Sequence, residues 1–135
     1  MKGYAALPLR VVIGGSFMAH GITKFTGGIE NTAGFFESLG IPAAGLMAPV
    51  VATVETLGGL AILTGAFVPI ASILLTVVML VAMFTFHISN GFFFMNQPPG
   101  IEVNLLFIAG LLSLMFMGAG PMSLDESRSK QPAEV

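Results

Sequence analysis

Charge is too scarce in this chain for a water-facing surface. Five Lys and Arg and seven Asp and Glu make up 9% of 135 residues, whereas a soluble domain carries about 25% charged residues. With 55% hydrophobic residues and a mean hydropathy of +0.92, the solvent around most of the chain is expected to be lipid. At roughly 25 to 30 residues for each span and its connection, this length holds four or five membrane helices in one domain. A net charge of −2 without a basic cluster argues against nucleic acid as a partner. The absence of cysteine rules out a disulfide, thiol catalysis, an iron–sulfur cluster or a thiolate metal site in this subunit. No metal site is expected, and any redox chemistry must use a bound cofactor or a partner chain.

Four apolar segments are predicted to cross the bilayer, over about 4–25, 43–66, 68–90 and 101–119. The first has a basic front, Lys2 and Arg10, like a signal peptide, but Phe17-Met18-Ala19 lacks the small residue needed for cleavage, so a retained helix is expected. The polar stretch 26–40 surrounds Phe35-Phe36 and predicts a short interfacial helix capped by Asn31, serving as lid or anchor. Gly65 and Pro69 mark a tight hairpin between spans two and three. Phe92 to Phe94 are expected to anchor at the membrane interface. Gly118-Ala119-Gly120-Pro121 stops the last span, and 125–135 is expected to be a disordered polar tail. The fold class is therefore all-α, an integral membrane antiparallel four-helix bundle with an interfacial helix between spans one and two. Lys2, Arg10, Arg128 and Lys130 against Lys24 alone place both termini in the cytoplasm of a cell membrane by the positive-inside rule.

A few ionisable groups remain within or beside the spans. Arg10, Gly14, Phe17, Gly21 and Lys24 recur at intervals of four, three, four and three, so they share one helix face, with His20 at its edge. Glu55, Gly58, Gly59 and Ile62 make a similar face in the second span. Glycine permits close helix contact and lipid rejects charge, so the two faces are expected to meet. Glu55 falls near the midplane, where a lone charge costs about 2.5 to 3.5 kcal/mol. Two compatible readings follow: a buried ion pair with Arg10, or a proton-relay or ligand role. His20 and His87 are candidates for a quinone head or a proton, for a hydrogen-bonded structural role, or for bis-imidazole haem ligation, which two histidines alone support only weakly. Glu102 opens a helix, where the macrodipole favours a carboxylate. Lys24 has a simple alternative in snorkelling to the outer surface.

Taken in order, Arg10, Gly21-x-x-Lys24, Gly40-Ile41-Pro42, Glu55-x-x-Gly58-Gly59, His87-x-x-Asn90-Gly91-Phe92-Phe93, Gly100-x-Glu102 and Gly118-x-Gly120 followed by Ser123-Leu124-Asp125 resemble the DoxX family of small membrane proteins. The resemblance implies a four-helix membrane protein. It also implies quinone-dependent redox chemistry, since relatives include subunits of a terminal quinol oxidase and of thiosulfate:quinone oxidoreductase, or the handling of thiol and oxidative stress. On that reading the chain is a subunit of a quinone-linked redox system, with Glu55 and His87 catalytic and His20, Lys24, Glu102 and Arg10 binding a quinone or quinol. Its partners would be the lipid bilayer, a quinone, and a soluble redox enzyme or further copies of itself. Two alternatives use the same residues differently: a scaffold that docks soluble redox partners through the tail from Asp125, and a small-solute carrier.

Overall fold

A computed structural model describes residues 2–130 of the chain. Among the described residues six α-helices form: α1 (Ala6–Thr26), α2 (Ile29–Ser38), α3 (Ala44–Thr64), α4 (Val68–Ala82), α5 (Glu102–Met117) and α6 (Leu124–Ser129). No strand is present among the described residues. α4 continues through a π turn, Met83–His87, and a 3-10 turn, Ile88–Asn90, into one apolar helix running from Val68 to Asn90. With the helix from Gly3 to Thr26 and α3, this gives three helices long and apolar enough to span a membrane. The fourth expected span is shorter. α5 has 16 residues, about 24 Å against a hydrocarbon core of about 30 Å, because Gly118 at φ 74° ends the helix before Ala119.

The long helices alternate in direction and pack in the cyclic order α1, α3, α4, α5, while α2 lies across α3 and touches α1. Ile13, Phe17, Ile62, Val68, Leu75, Leu111 and Leu114 fill the centre, and Phe17 meets Phe107 of α5 edge-on at 5.4 Å. Large apolar side chains also cover the outside, among them Leu57, Ile70, Val77, Leu106 and Phe116, the last 81% exposed. That distribution suits lipid. It would expose an aqueous aggregation surface in a soluble bundle.

The glycine faces meet as expected. A Cβ built on Gly14 would lie 2.6 Å from the Leu63 nitrogen and 2.7 Å from the Gly59 oxygen, and one on Gly59 would lie 2.7 Å from the Gly14 oxygen. Two turns further on, Gly21 rests against Ala52 and Thr56. Backbone therefore touches backbone along the α1–α3 seam. Gly58 leaves the shared face and packs on Leu75 of α4.

The opposite end of the bundle is closed by Arg10, which is 1% exposed. Its Nε donates to Ile62 O at 3.2 Å, Nη1 to Ala119 O and Pro121 O at 3.0 and 3.2 Å, and Nη2 to Leu63 O and Met122 O at 3.1 and 3.0 Å. All five guanidinium donors are thus engaged. Two of the carbonyls belong to the last turn of α3, at the negative end of the helix dipole; Ile62 O also accepts from Gly65 N at 3.2 Å, whereas Leu63 O is one of the carbonyls a helix end leaves over.

Asp125 corrects the expectation of a disordered tail. Its carboxylate accepts from Phe67 N at 2.8 Å and Val68 N at 3.0 Å, and its own N–H donates to Gly65 O at 2.9 Å. It caps α4 at the point where Phe67 takes a left-handed φ of 49°. The Arg128 guanidinium carbon lies 4.4 Å from the centre of the Phe67 ring, and Ser123 caps α6 by accepting from Glu126 N at 3.1 Å. The hydrogen bond from Lys130 holds the Glu126 carboxyl below the usual carboxylate range. The start of the supposed docking tail is therefore fastened to the α3–α4 hairpin, and positions 131–135 lie outside the described residues. Asn31 is likewise not a helix cap: α2 begins behind Gly28, whose φ is 93°, and Asn31 donates back to Gly27 O at 2.8 Å.

Two outcomes follow for detergent-solubilised protein followed by thermal unfolding. Gly59→Ala forces the seam apart and should destabilise by about 1–3 kcal/mol. Gly15→Ala, one residue from the contact and open to space, should leave Tm unchanged or slightly raised; equal melting of the two variants would contradict the seam. Arg10→Met should lower Tm more than Asp125→Asn and expose α6 to protease, because each buried carbonyl left without a donor costs about 1–3 kcal/mol. Arg10→Lys, with three donors for five carbonyls, should fall between wild type and Arg10→Met.

Candidate functional site

The antiparallel α1–α3 seam fixes which polar groups face one another. Glu55 and Ile62 are seven residues apart, about two helical turns or 10 Å, so the end of α1 that places Arg10 beside Ile62 cannot also place it beside Glu55. The other end brings Lys24 there. Lys24 Nζ and Glu55 Oε2 lie 2.5 Å apart, with the side chains 22% and 9% exposed. The expected Arg10–Glu55 pair is not formed, and Lys24, instead of snorkelling outward, turns inward to supply the counter-charge that the buried carboxylate needs.

This pair stands at one end of a cavity of about 360 Å³ between α2, α3 and the α4 helix. Phe35, Phe36 and Leu39 form its α2 wall, Val51, Val54 and Glu55 its α3 wall, and Leu74, Val78, Thr85, Phe86 and His87 its α4 wall. Apart from Lys24, Glu55, Thr85 and His87 the lining is apolar. A second, shallower hollow of about 380 Å³ opens where α1 turns into α2, lined by Thr23, Lys24, Gly27, Gly28, Asn31 and Thr32. Lys24, Phe35 and Phe36 belong to both.

His87 reaches the cavity from the π turn, a distortion that often re-aims side chains at functional sites. Its Nδ1 lies 3.0 Å from Pro99 O. A carbonyl can only accept, so Nδ1 carries the proton, and in the neutral ring Nε2 keeps a free lone pair. Asn90 Nδ2 donates to Phe86 O at 2.9 Å and to the same Pro99 O at 3.3 Å. The spacing His87-x-x-Asn90 thereby ties the end of the long helix to the loop before α5. Phe86 packs edge-on against both His87, at 4.9 Å, and Phe35 of α2, at 5.3 Å, so the aromatic groups form one connected wall.

The remaining candidates stand elsewhere. His20 is on the exposed side of α1, outside the cavity that His87 lines. Arg10 has every donor committed to the clasp. Glu102 accepts from Phe94 N at 3.1 Å while its own N–H donates to Phe92 O at 2.9 Å, which folds the Phe-rich loop onto the start of α5. No cluster of metal-binding side chains occurs among the described residues. The sequence did not reveal Thr85 and Phe86 as cavity residues, because a π turn leaves no composition signal. Nor did it reveal Phe35 and Phe36 as a wall, since an interfacial Phe pair reads equally well as a lipid anchor.

A family model described as DoxX matches residues 5–88. The chain is 31% identical over 88% of its length to CatD of Bacillus subtilis, whose name marks it as a candidate oxidoreductase, and covers 83% of that protein. It is 30% identical over 91% of its length to an uncharacterized membrane protein of Mycobacterium tuberculosis, covering 80% of it. It is also 29% identical over 97% of its length to the inner membrane protein YqjF of Escherichia coli, covering 97% of it. No solved structure matches the chain at a significant level. With its span-length apolar helices and a family match over more than half its length, the chain is a membrane protein and belongs to the DoxX family.

Proposed function

We propose that this protein is the membrane-embedded subunit of a quinone-linked redox system and that its ligand ring occupies the cavity at Lys24, Glu55 and His87. The observation that carries this reading is the cavity itself. It is an apolar hollow of about 360 Å³, within the range of about 300–1,000 Å³ typical of small-ligand sites, bordered by Lys24 and Glu55 and, further along the α4 helix, by Thr85 and His87. Val51, Val54, Leu74 and Val78 offer faces for a flat apolar ring. Lys24 has two ammonium hydrogens left after its bond to Glu55, and these donate to a ring carbonyl. His87 Nε2 accepts from a ring hydroxyl. Glu55 holds Lys24 in place and is the nearest group able to exchange a proton. A quinone, when bound, carries electrons and protons between redox partners.

The name of CatD supports an oxidoreductase role for this chain. Because the chain has no cysteine, the electrons come from a bound cofactor or a partner chain, and in this reading from a soluble redox enzyme. The clasp end holds Arg128 and Lys130 and the other end holds Lys24, so the clasp end faces the cytoplasm and the cavity lies toward the outer leaflet.

Purified protein in nanodiscs should bind decylubiquinone. Glu55→Gln and His87→Ala should each weaken binding about tenfold, the worth of roughly one hydrogen bond, whereas His20→Ala should leave it unchanged. Wild-type affinity in both Glu55→Gln and His87→Ala would remove the ring from this cavity. A reporter fused after position 135 should be active on the cytoplasmic side, and activity on the outer side would invert the topology.

A further inference from the structure

Lys24 is shared between two hollows, one more open than the other. On one side lies the apolar cavity with Glu55 and His87, and on the other the vestibule at the α1–α2 turn, whose lining includes Thr23, Asn31 and Thr32. The vestibule sits where α1 ends at Thr26 and the chain turns through Gly27 and Gly28, at the polar end of the span. Glu55 lines only the inner cavity, and Thr32 only the vestibule. The ion pair at 2.5 Å therefore joins an open hollow edged by Thr23, Asn31 and Thr32 to one suited to an apolar ring.

We infer that Lys24 and Glu55 are the proton route between vestibule water and the ligand in the apolar cavity, an inference that rests on the quinone reading above. The steps balance. The Lys24 ammonium passes a proton to the Glu55 carboxylate, and the resulting amine takes one from water in the vestibule, whose hydroxide leaves to the bulk solution. The Glu55 carboxylic acid then gives its proton to the ligand oxygen and returns to carboxylate. Each cycle moves one proton from water to the ligand, while the electrons arrive from the redox partner. A membrane site that changes the protonation of an apolar ligand needs such a route, since hydrocarbon supplies no protons. Phe35 and Phe36 also border both hollows, and Lys24 is the polar residue that lines both.

Protein in nanodiscs loaded with decylubiquinone and reduced electrochemically through a mediator provides the test, with proton uptake read from an indicator dye. Thr32→Phe, which fills the vestibule only, should bind the probe with wild-type affinity yet take up protons at least about tenfold more slowly; Glu55→Gln should slow uptake similarly. Because the chain has no native cysteine, Thr32→Cys can be modified after folding with a charged thiosulfonate, which should reproduce the slowing without a folding defect. Wild-type uptake in both blocked forms would overturn the route. If the probe fails to bind, the quinone reading fails, and the route is judged by access alone. Lys24→Cys should react with the charged thiosulfonate and lose that reaction when combined with Thr32→Phe, and an unreactive Lys24→Cys would overturn it.

Discussion

Five carbonyl oxygens around one guanidinium hold this fold closed. At Arg10, α1, the end of α3 and the segment after α5 converge, and all of its hydrogen-bond donors go to carbonyls. In lipid, a turn such as 118–122 would leave carbonyls without partners at a cost of several kcal/mol each. A planar donor fork solves this with one side chain. Lysine has too few donors and an apolar residue has none. Asp125 does the complementary job on the same hairpin, supplying acceptors for the first free N–H groups of α4. Cation to helix C-terminus and carboxylate to helix N-terminus is the arrangement that the helix dipoles favour.

The consequence reaches the other end of the bundle. With Arg10 anchored at Ile62 and Leu63, and Gly14 pressed on Gly59, the antiparallel register admits one partner for Glu55, and that partner is Lys24. A cationic stripe on α1 thus divides its labour. Its first charge builds the clasp, and its last neutralises the one acid buried in the spans. The clasp is therefore a structural requirement for the site although it touches no part of it.

Much of this was legible in the sequence. The spans were set by apolar length, and the contact between the Gly14–Gly21 and Gly59 faces by helical spacing, because close approach needs small residues at fixed intervals. Which cation would meet Glu55 was not legible. Arg10 and Lys24 share one face, and only the contact register between helices decides between them. The fastening of Asp125 was hidden for a related reason. A polar C-terminal segment reads as solvated unless the orphan N–H groups of Phe67 and Val68, far away in sequence, are known to need acceptors. His87 was singled out by its position at a span end, but its tautomer depends on Pro99, twelve residues on, and its entry to the cavity depends on a π turn that no residue pattern announces. Glu102 was read correctly as a helix-start carboxylate, and its hydrogen bond to Phe94 shows what that position organises.

Lys24, Glu55 and His87 come from three separate parts of the chain and have in common only that each borders the same apolar hollow. Burial in lipid makes each of them costly without a partner, and they are the ionisable groups that border an otherwise apolar cavity. Photoaffinity labelling with an azidoquinone, mapped by mass spectrometry of protein reconstituted in nanodiscs, tests that claim most directly. The adducts should fall on the α3 and α4 walls around Val51 to Glu55 and Val78 to His87 and be competed away by decylubiquinone. Competable adducts confined to the His20 side of α1 or to α5 would contradict it.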